Sequence, residues 1–355
     1  MGSTTGNGPS GFAPASASSS SEIRLVETTL SKHDPDAAAY DSVLLLAYGA
    51  PETMEQVRPF LDNVLRGLRV PRERYEAVVH HYELIGGHSP LNALTARQAS
   101  MLRAVLADEG LNLSVHFGMR FAQPFIFTAI RDIIRAGRRR TLSIILSPYR
   151  SEPSFDKYVE SVREVLDAAD PATAPVVDFV EPWFDNVYFA RAQAGRVHAA
   201  LEAIPAERRD AAELIFTAHS IPTAVASRGP YVQQIEAVCR AVAEENLGRG
   251  WKLAWQSRSG SPHVPWLEPD VNEMLRSLRA SGAADVVLCP VGFVSDHVEV
   301  LYDLDIEAAA TCREIGLNMV RAATVNDDPV FIQGLASIVR ERLGNSVTRR
   351  EGSAS

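Results

Sequence analysis

Short, unbroken runs of aliphatic and β-branched residues recur along this chain, and longer stretches with apolar residues at helical spacing separate them. The runs are residues 43–47, 113–117, 142–146, 176–180, 214–217 and 286–289; residues 94–109 and 271–280 carry the helical period. A strand that is apolar on both faces must be covered on both faces, so such runs alternating with helices predict an α/β fold with parallel sheets. At 355 residues the chain is comfortable for two cores.

Composition narrows the class. Hydrophobic content of 46% and charged content of 22% are those of an ordinary globular protein. A net charge of −9 disfavours a nucleic-acid partner. The basic run Arg138-Arg139-Arg140 is short and reads as a solvated helix end. Cys239, Cys289 and Cys312 are widely spaced, with neither metal-ligand spacing nor an even count for disulfides. No Lys or Arg precedes Arg24, position 6 is Gly where a myristoylation signal has Ser or Thr, and no apolar run is long enough to span a bilayer. The expectation is a cytoplasmic protein without a membrane span.

Residues 1–40 form a Ser/Gly/Ala-rich tail and lead-in with little to bury, expected to be disordered. Residues 41–172 are expected to make an N-terminal α/β lobe, 173–344 a C-terminal α/β lobe with a closing helix, and 345–355 a frayed end. The halves echo each other. Leu46-Ala47-Tyr48-Gly49 and Phe216-Thr217-Ala218-His219 are strands running into polar turns, and Ser147-Pro148-Tyr149 and Cys289-Pro290-Val291 are strands ending at proline. Two similar lobes with a cleft between them follow.

The carboxyl ends of strands in open α/β sheets face the ligand crevice. His219 lies at such an end, where Pro222 enforces a turn, and imidazole exchanges protons near neutral pH. Asp296, Glu299, Asp303 and Glu307 form an acidic row after a second strand end; the last three are four apart and share a helical face. From Leu288 to Ala310 no Lys or Arg balances them, an arrangement suited to passing a hard divalent cation. Tyr48 ends the first strand and places a phenol at the same kind of edge. Gly86-Gly87-His88-Ser89-Pro90 reads as a binding loop; His80 and His81 before it are adjacent and diverge, which disfavours a metal pair. No G-x-G-x-x-G or Walker sequence follows a strand, and no G-x-S-x-G occurs. His297-Val298-Glu299 begins like a zinc-deaminase signature, but no P-C-x-x-C follows.

At these residues the chain resembles the ferrochelatases, which insert ferrous iron into porphyrins. The resemblance runs from about Ser42 to Leu343. It rests on Ala47-Tyr48-Gly49-Ala50-Pro51, Tyr82-Glu83-Leu84-Ile85-Gly86-Gly87-His88-Ser89-Pro90-Leu91, Ala218-His219-Ser220-Ile221-Pro222, Trp255-Gln256-Ser257, and Gly292-Phe293-Val294-Ser295-Asp296-His297-Val298-Glu299-Val300-Leu301-Tyr302-Asp303. It implies two Rossmann-like lobes in a chelatase-like fold around a porphyrin cleft. His219 and Glu299 become the catalytic, metal-facing pair, with Asp303 and Glu307 as an outer path. Tyr48, Arg66, His81, Tyr82, Ser89 and Tyr158 fall where the coproporphyrin-using branch contacts its substrate. The chain departs from that branch at Leu65, often Arg there, and at Phe121, where some members have histidine. No cysteine follows Cys312, so the resemblance implies no iron–sulfur cluster and no resident cofactor.

The implied activity is that of a lyase of heme biosynthesis, converting coproporphyrin III and Fe²⁺ to coproheme. Alternatives are protoporphyrin IX as substrate, cobalt chelation by a related fold, and a non-enzymatic tetrapyrrole carrier. His219, neutral in an apolar crevice, is expected to accept protons, and Tyr48 to face the metal from the other side. A monomer with transient contacts to neighbouring heme-pathway enzymes completes the expectation.

Overall fold

The computed structural model describes residues 39–260 and 263–352, with Pro153 and residues 345–352 described by backbone alone. The disordered tail expected over 1–40 lies almost wholly outside them. Tyr40 is already buried in the core. The closing helix Pro329–Gly352 continues its backbone past the expected fraying point at Asn345.

Two four-stranded sheets carry the fold. The first contains β1 (Ser42–Ala47), β2 (Ser114–Met119), β3 (Arg140–Ile145) and β4 (Val176–Phe179), in spatial order β2-β1-β3-β4. The second contains β5 (Glu213–His219), β6 (Trp251–Gln256), β7 (Asp285–Cys289) and β8 (Asn318–Arg321), in order β6-β5-β7-β8. Every pairing is parallel. The continuous apolar runs become the central strands: β1, β3 and β7 are buried at every residue. Helices cover both faces, as parallel strands without polar alternation require. The expected helix over 94–109 spans Leu91–Asp108, and Val271–Ala280 matches its expected bounds.

Three expectations are corrected. Residues 176–180 were assigned to the second lobe, yet β4 pairs with β3 in the first sheet, so the sheets divide after β4 and not at 172/173. The reason is visible at its middle: Asp178 forms a buried ion pair with Arg140 of β3, Nε to Oδ2 2.7 Å. That contact overturns the reading of Arg138-Arg139-Arg140 as wholly solvated, since Arg140 is buried and its guanidinium lies 4.9 Å from the Tyr40 ring centroid. Finally, the halves are not separate cores. Leu45, Leu102 and Leu142 from the first share one apolar cluster with Phe216, Val287 and Phe331 from the second. The closing helix packs on both Leu91–Asp108 and Val187–Glu202, which ties the sheets together.

The β7 end approaches β5 closely. Gly292 donates its N–H to the Thr217 carbonyl at 3.0 Å, and a Cβ on it would lie 2.6 Å from Ala218 Cα. Backbone cannot yield as a side chain can. Gly292→Ala is therefore expected to destabilise the fold by roughly 1–3 kcal/mol, read as a lower midpoint in thermal or denaturant unfolding.

Candidate active site

Both sheets repeat one strand order, with the first strand of each between its second and third. Connections therefore leave β1 and β5 to opposite sides, and the crevice at such a switch point is where open α/β sheets take ligands. Tyr48 follows β1 at the first of these points. His219 is the last residue of β5 at the second, and the segment after β7 leads to Glu299. The echo noticed in the sequence is thus a shared topology, and the chemistry-bearing residues stand at its two switch points.

His219 is held from behind. Its register partner is Gln256 at the end of β6, and the Tyr231 hydroxyl donates to its carbonyl at 3.0 Å. Its Nδ1 contacts the Ser220 carbonyl, which can only accept, so Nδ1 carries the hydrogen. That leaves Nε2 for chemistry, 3.5 Å from Glu299 Oε1. The other carboxylate oxygen lies 3.7 Å from His297 Nε2. His297 caps the helical turn that begins at Val298, its Nδ1 accepting from Val300 N–H at 3.4 Å, so its Nε2–H points to Glu299. One carboxylate lies between two imidazoles.

The charges respond to this arrangement. Burial favours a neutral Glu299, but the His219 and His297 imidazoles outweigh it and hold the carboxyl at about 2. Burial would likewise depress His219; Glu299 reverses that and raises it. The crevice is therefore not the apolar setting expected for a neutral imidazole, and His219 is a stronger base than a free histidine. His297 is depressed, chiefly by burial.

Beyond Glu299 the chain forms a π-helix, Leu301–Ala308, a rare conformation that tends to mark functional sites. It carries Asp303 and Glu307. Asp303 is buried and pushed up to about 7 by burial, with Glu299 and Glu307 adding to the effect. Glu307 is exposed, accepts from Asn272 Nδ2 at 3.3 Å, and is also raised by its partial burial. Asp296 leaves the row. Arg321 of β8 reaches its Oδ1 at 3.2 Å, Thr324 bonds the same oxygen and Asn326 the other. Arg321 also pairs with Asp305. The cation missing from residues 288–310 is supplied by a strand not foreseen in the sequence, so Asp296 anchors the segment.

The remaining expected residues divide. Tyr48 is 41% exposed, its ring 4.7 Å from Phe121 and edge-on to Phe60. Burial of its hydroxyl and then the charge of Glu299 raise its pKa, which puts Tyr48 within electrostatic reach of the pair. Tyr82 is buried against Phe60 and feels the same charge. Tyr158 is buried in the first lobe, in reach of Tyr48 and Arg120. Ser89 is buried and its hydroxyl accepts from Leu91 N–H at 3.4 Å. His81 stacks on Tyr302, centroids 3.6 Å apart, and burial lowers it to about 4. Arg66 is exposed past the end of helix Met54–Val64, and among the described residues no contact joins it to the pair. Sequence reasoning gave no role to His297, Gln256, Ser257, Tyr231 or Tyr302. For all but Tyr231 the signal was present, since they lie inside the motifs quoted. Among the described residues, no group of three or more His, Cys, Asp or Glu is arranged to hold a metal.

Two parallel sheets with matched switch points, an imidazole–carboxylate pair at one and a tyrosine at the other, define a protein of the chelatase type. Solved structures agree on the fold. DR2241 from Deinococcus radiodurans, described as similar to chelatases, superposes with a TM-score of 0.54 at 13% identity, covering 86% of this chain and 56% of that one. SirB from Bacillus subtilis, solved with Fe³⁺, gives 0.52 at 11% identity, covering 86% and 97%. The chain belongs to the ferrochelatase family, whose model matches residues 40–343. It is 40% identical to the coproporphyrin III ferrochelatase of Streptomyces coelicolor over 87% of both chains. The like-named protein of Mycolicibacterium smegmatis is 40% identical, over 88% of this chain and 92% of its own. A ferrochelatase of Rhodopirellula baltica is 38% identical, over 86% and 87%.

Two outcomes follow from the charges. Glu299→Gln removes the attraction and leaves burial, so the His219 pKa is expected to fall below that of the parent in an NMR titration. Asp303 is raised from an ordinary 3.8 to about 7, so its carboxylate opposes folding increasingly as pH rises through that window. Asp303→Asn is expected to be more stable than the parent above pH 7, by on the order of a few kcal/mol. That gain should vanish toward pH 4, as unfolding curves across the range would record.

Proposed function

We infer that this chain inserts Fe²⁺ into coproporphyrin III, giving coproheme in heme biosynthesis. The observation that carries the reading is the His219–Glu299 pair at one switch point, in electrostatic reach of Tyr48 at the other, in a member of the ferrochelatase family. The choice of coproporphyrin is supported by relatives of that name in Streptomyces and Mycolicibacterium, which match over most of both chains.

Insertion exchanges two pyrrole N–H protons for one Fe²⁺. His219 Nε2 accepts the two protons in turn, releasing the first toward the Asp303 and Glu307 carboxylates before it takes the second, while Nδ1–H stays on the Ser220 carbonyl, which keeps the ring oriented. Glu299 stabilises the imidazolium so formed, and burial strengthens that attraction. With its pKa near 7, Asp303 alternates between acid and carboxylate at working pH, so it suits a relay of protons or metal between Glu299 and exposed Glu307. Tyr48 remains a phenol, because burial and Glu299 both oppose its ionisation, and it would face the metal from the other side of the ring. Arg66, His81, Tyr82, Ser89 and Tyr158 are assigned to the substrate's rim.

No resident cofactor is assigned: Cys239, Cys289 and Cys312 are each buried as free thiols, their pKa values raised by burial. Among the described residues no helix is long and apolar enough to cross a membrane. We assign the enzyme to the cytoplasm, as a monomer that passes its product to neighbouring heme-pathway enzymes by transient contact.

The test is anaerobic Fe²⁺ with coproporphyrin III or protoporphyrin IX, followed by loss of porphyrin fluorescence. Coproporphyrin is expected to turn over faster, and His219→Ala to lose at least 10²-fold in rate, the lower end of general-base contributions. A preference for protoporphyrin would overturn the substrate assignment, and near-parental turnover by folded His219→Ala would overturn the role of His219.

A further inference from the structure

Helix Leu91–Asp108 buries three polar side chains at every third position, Asn92, Thr95 and Gln98, alongside Leu91, Leu94 and Leu102. A buried polar group is costly unless it is hydrogen-bonded. Thr95 meets that need inside the helix, its hydroxyl donating to the Leu91 carbonyl at 2.9 Å. Asn92 and Gln98 reach outside it. Asn92 Oδ1 accepts from the Ala50 N–H at 3.0 Å and its Nδ2 donates to the Ala50 carbonyl at 2.8 Å, so one amide grips both backbone groups of a residue two positions after Tyr48. Gln98 Nε2 donates to the Asn326 carbonyl at 2.7 Å and to Ser295 Oγ at 3.0 Å, in the segments that follow β8 and β7. Asn326 passes that hold on. It has φ +51°, a left-handed conformation that asparagine adopts more readily than most residues. Its side chain accepts from the Asp296 N–H and donates to Asp296 Oδ2, each at 2.9 Å. Next after Asp296 is His297, which caps the turn that carries Glu299. A run of hydrogen bonds thus leads from Gln98 to the start of the Glu299 segment.

Gln98 is not what stability alone selects at its site. It is fully buried, and its Oε1 has no partner among the described residues. The amide cannot be turned to relieve this, because the Asn326 carbonyl can only accept. A buried acceptor left empty costs free energy that an apolar side chain of the same size avoids. We propose that Asn92 and Gln98 are positioning residues that make this helix a spacer between the two faces of the site. One holds the turn that carries Tyr48, the other the segment that carries Glu299. Their six-residue separation corresponds to about 9 Å along the helix axis. A rigid element tied to both segments keeps their spacing where two loops alone would drift. The proposal rests on the reading of the cleft as the seat of a flat porphyrin, and it is indifferent to which porphyrin is used.

The experiment compares the parent with Gln98→Met, which keeps the volume and loses the donor, with Asn92→Ala, and with Thr95→Val as a control that removes a buried hydrogen bond confined to the same helix. Hydrogen exchange of the protein alone, read by mass spectrometry, reports each mount separately. Gln98→Met should speed exchange over residues 294–301 by about tenfold, as loss of a hydrogen-bonded tether allows, and leave residues 48–51 unchanged. Asn92→Ala should do the reverse, and Thr95→Val should speed neither. Anaerobic initial rates with Fe²⁺ then give the split between kcat and KM. Both mount variants should lose at least tenfold in kcat, since small misplacement of reacting groups is costly, with KM for porphyrin unchanged; Thr95→Val should stay within twofold of the parent in both. Unchanged exchange over 294–301 in Gln98→Met overturns the proposal, as does a kcat loss in Thr95→Val equal to that of the mount variants. Loosening of both segments by either mount variant also overturns it, because that marks a general loss of stability. If the parent turned over neither porphyrin, the functional assignment would fail, while segment-specific exchange would still support the spacer and its absence would end it.

Discussion

A carboxylate partly withdrawn from water gains from charge or hydrogen-bond partners in the protein, and Glu299 has an imidazole on each side. His219 and His297 face its two oxygens at 3.5 and 3.7 Å. These distances are longer than a good hydrogen bond, so the group is held by charge. The same contact strengthens His219 as a base and keeps Glu299 ionised, and that charge adds to the burial that raises Asp303 next along the row. Substituting Glu299 would therefore disturb the whole titrating line.

That contact depends on backbone geometry well outside it. β5 ends at His219, and β7 turns at Gly292 so tightly that only a residue without Cβ fits against Ala218. Arg321, Thr324 and Asn326 then hold Asp296 and fix the start of the segment that carries His297 and Glu299. On the other side, β6 ends in the Gln256-Ser257 pair that restrains Asp303. Three strand ends of one sheet thus fix successive parts of the row.

Much of this was legible in the chain, for identifiable reasons. Central parallel strands are apolar on both faces, so β1, β3 and β7 announced themselves. The edge strands β6 and β8 did not: Lys252 interrupts one, and the other is four partly exposed residues. Missing β8 hid Arg321, and with it the structural role of Asp296. The lobe boundary failed because strand pairing is not local, and nothing in residues 176–180 says that their partner is β3. Arg140 reads as a surface charge until Asp178 stands beside it. His81 reads as a free histidine until Tyr302, more than two hundred positions away, covers its ring.

By itself the sequence determined the fold class, since unbroken apolar runs can be satisfied only by burial on both faces. It also determined the chemical groups on offer, because Tyr48 and His219 stand at the ends of such runs and Glu299 and Asp303 form an acidic row on the segment that follows another. Tertiary structure alone decided which of them meet and with what charge. Pairing between distant strands sets those distances, and a pKa follows from burial and neighbours, neither of which is encoded at the residue that titrates.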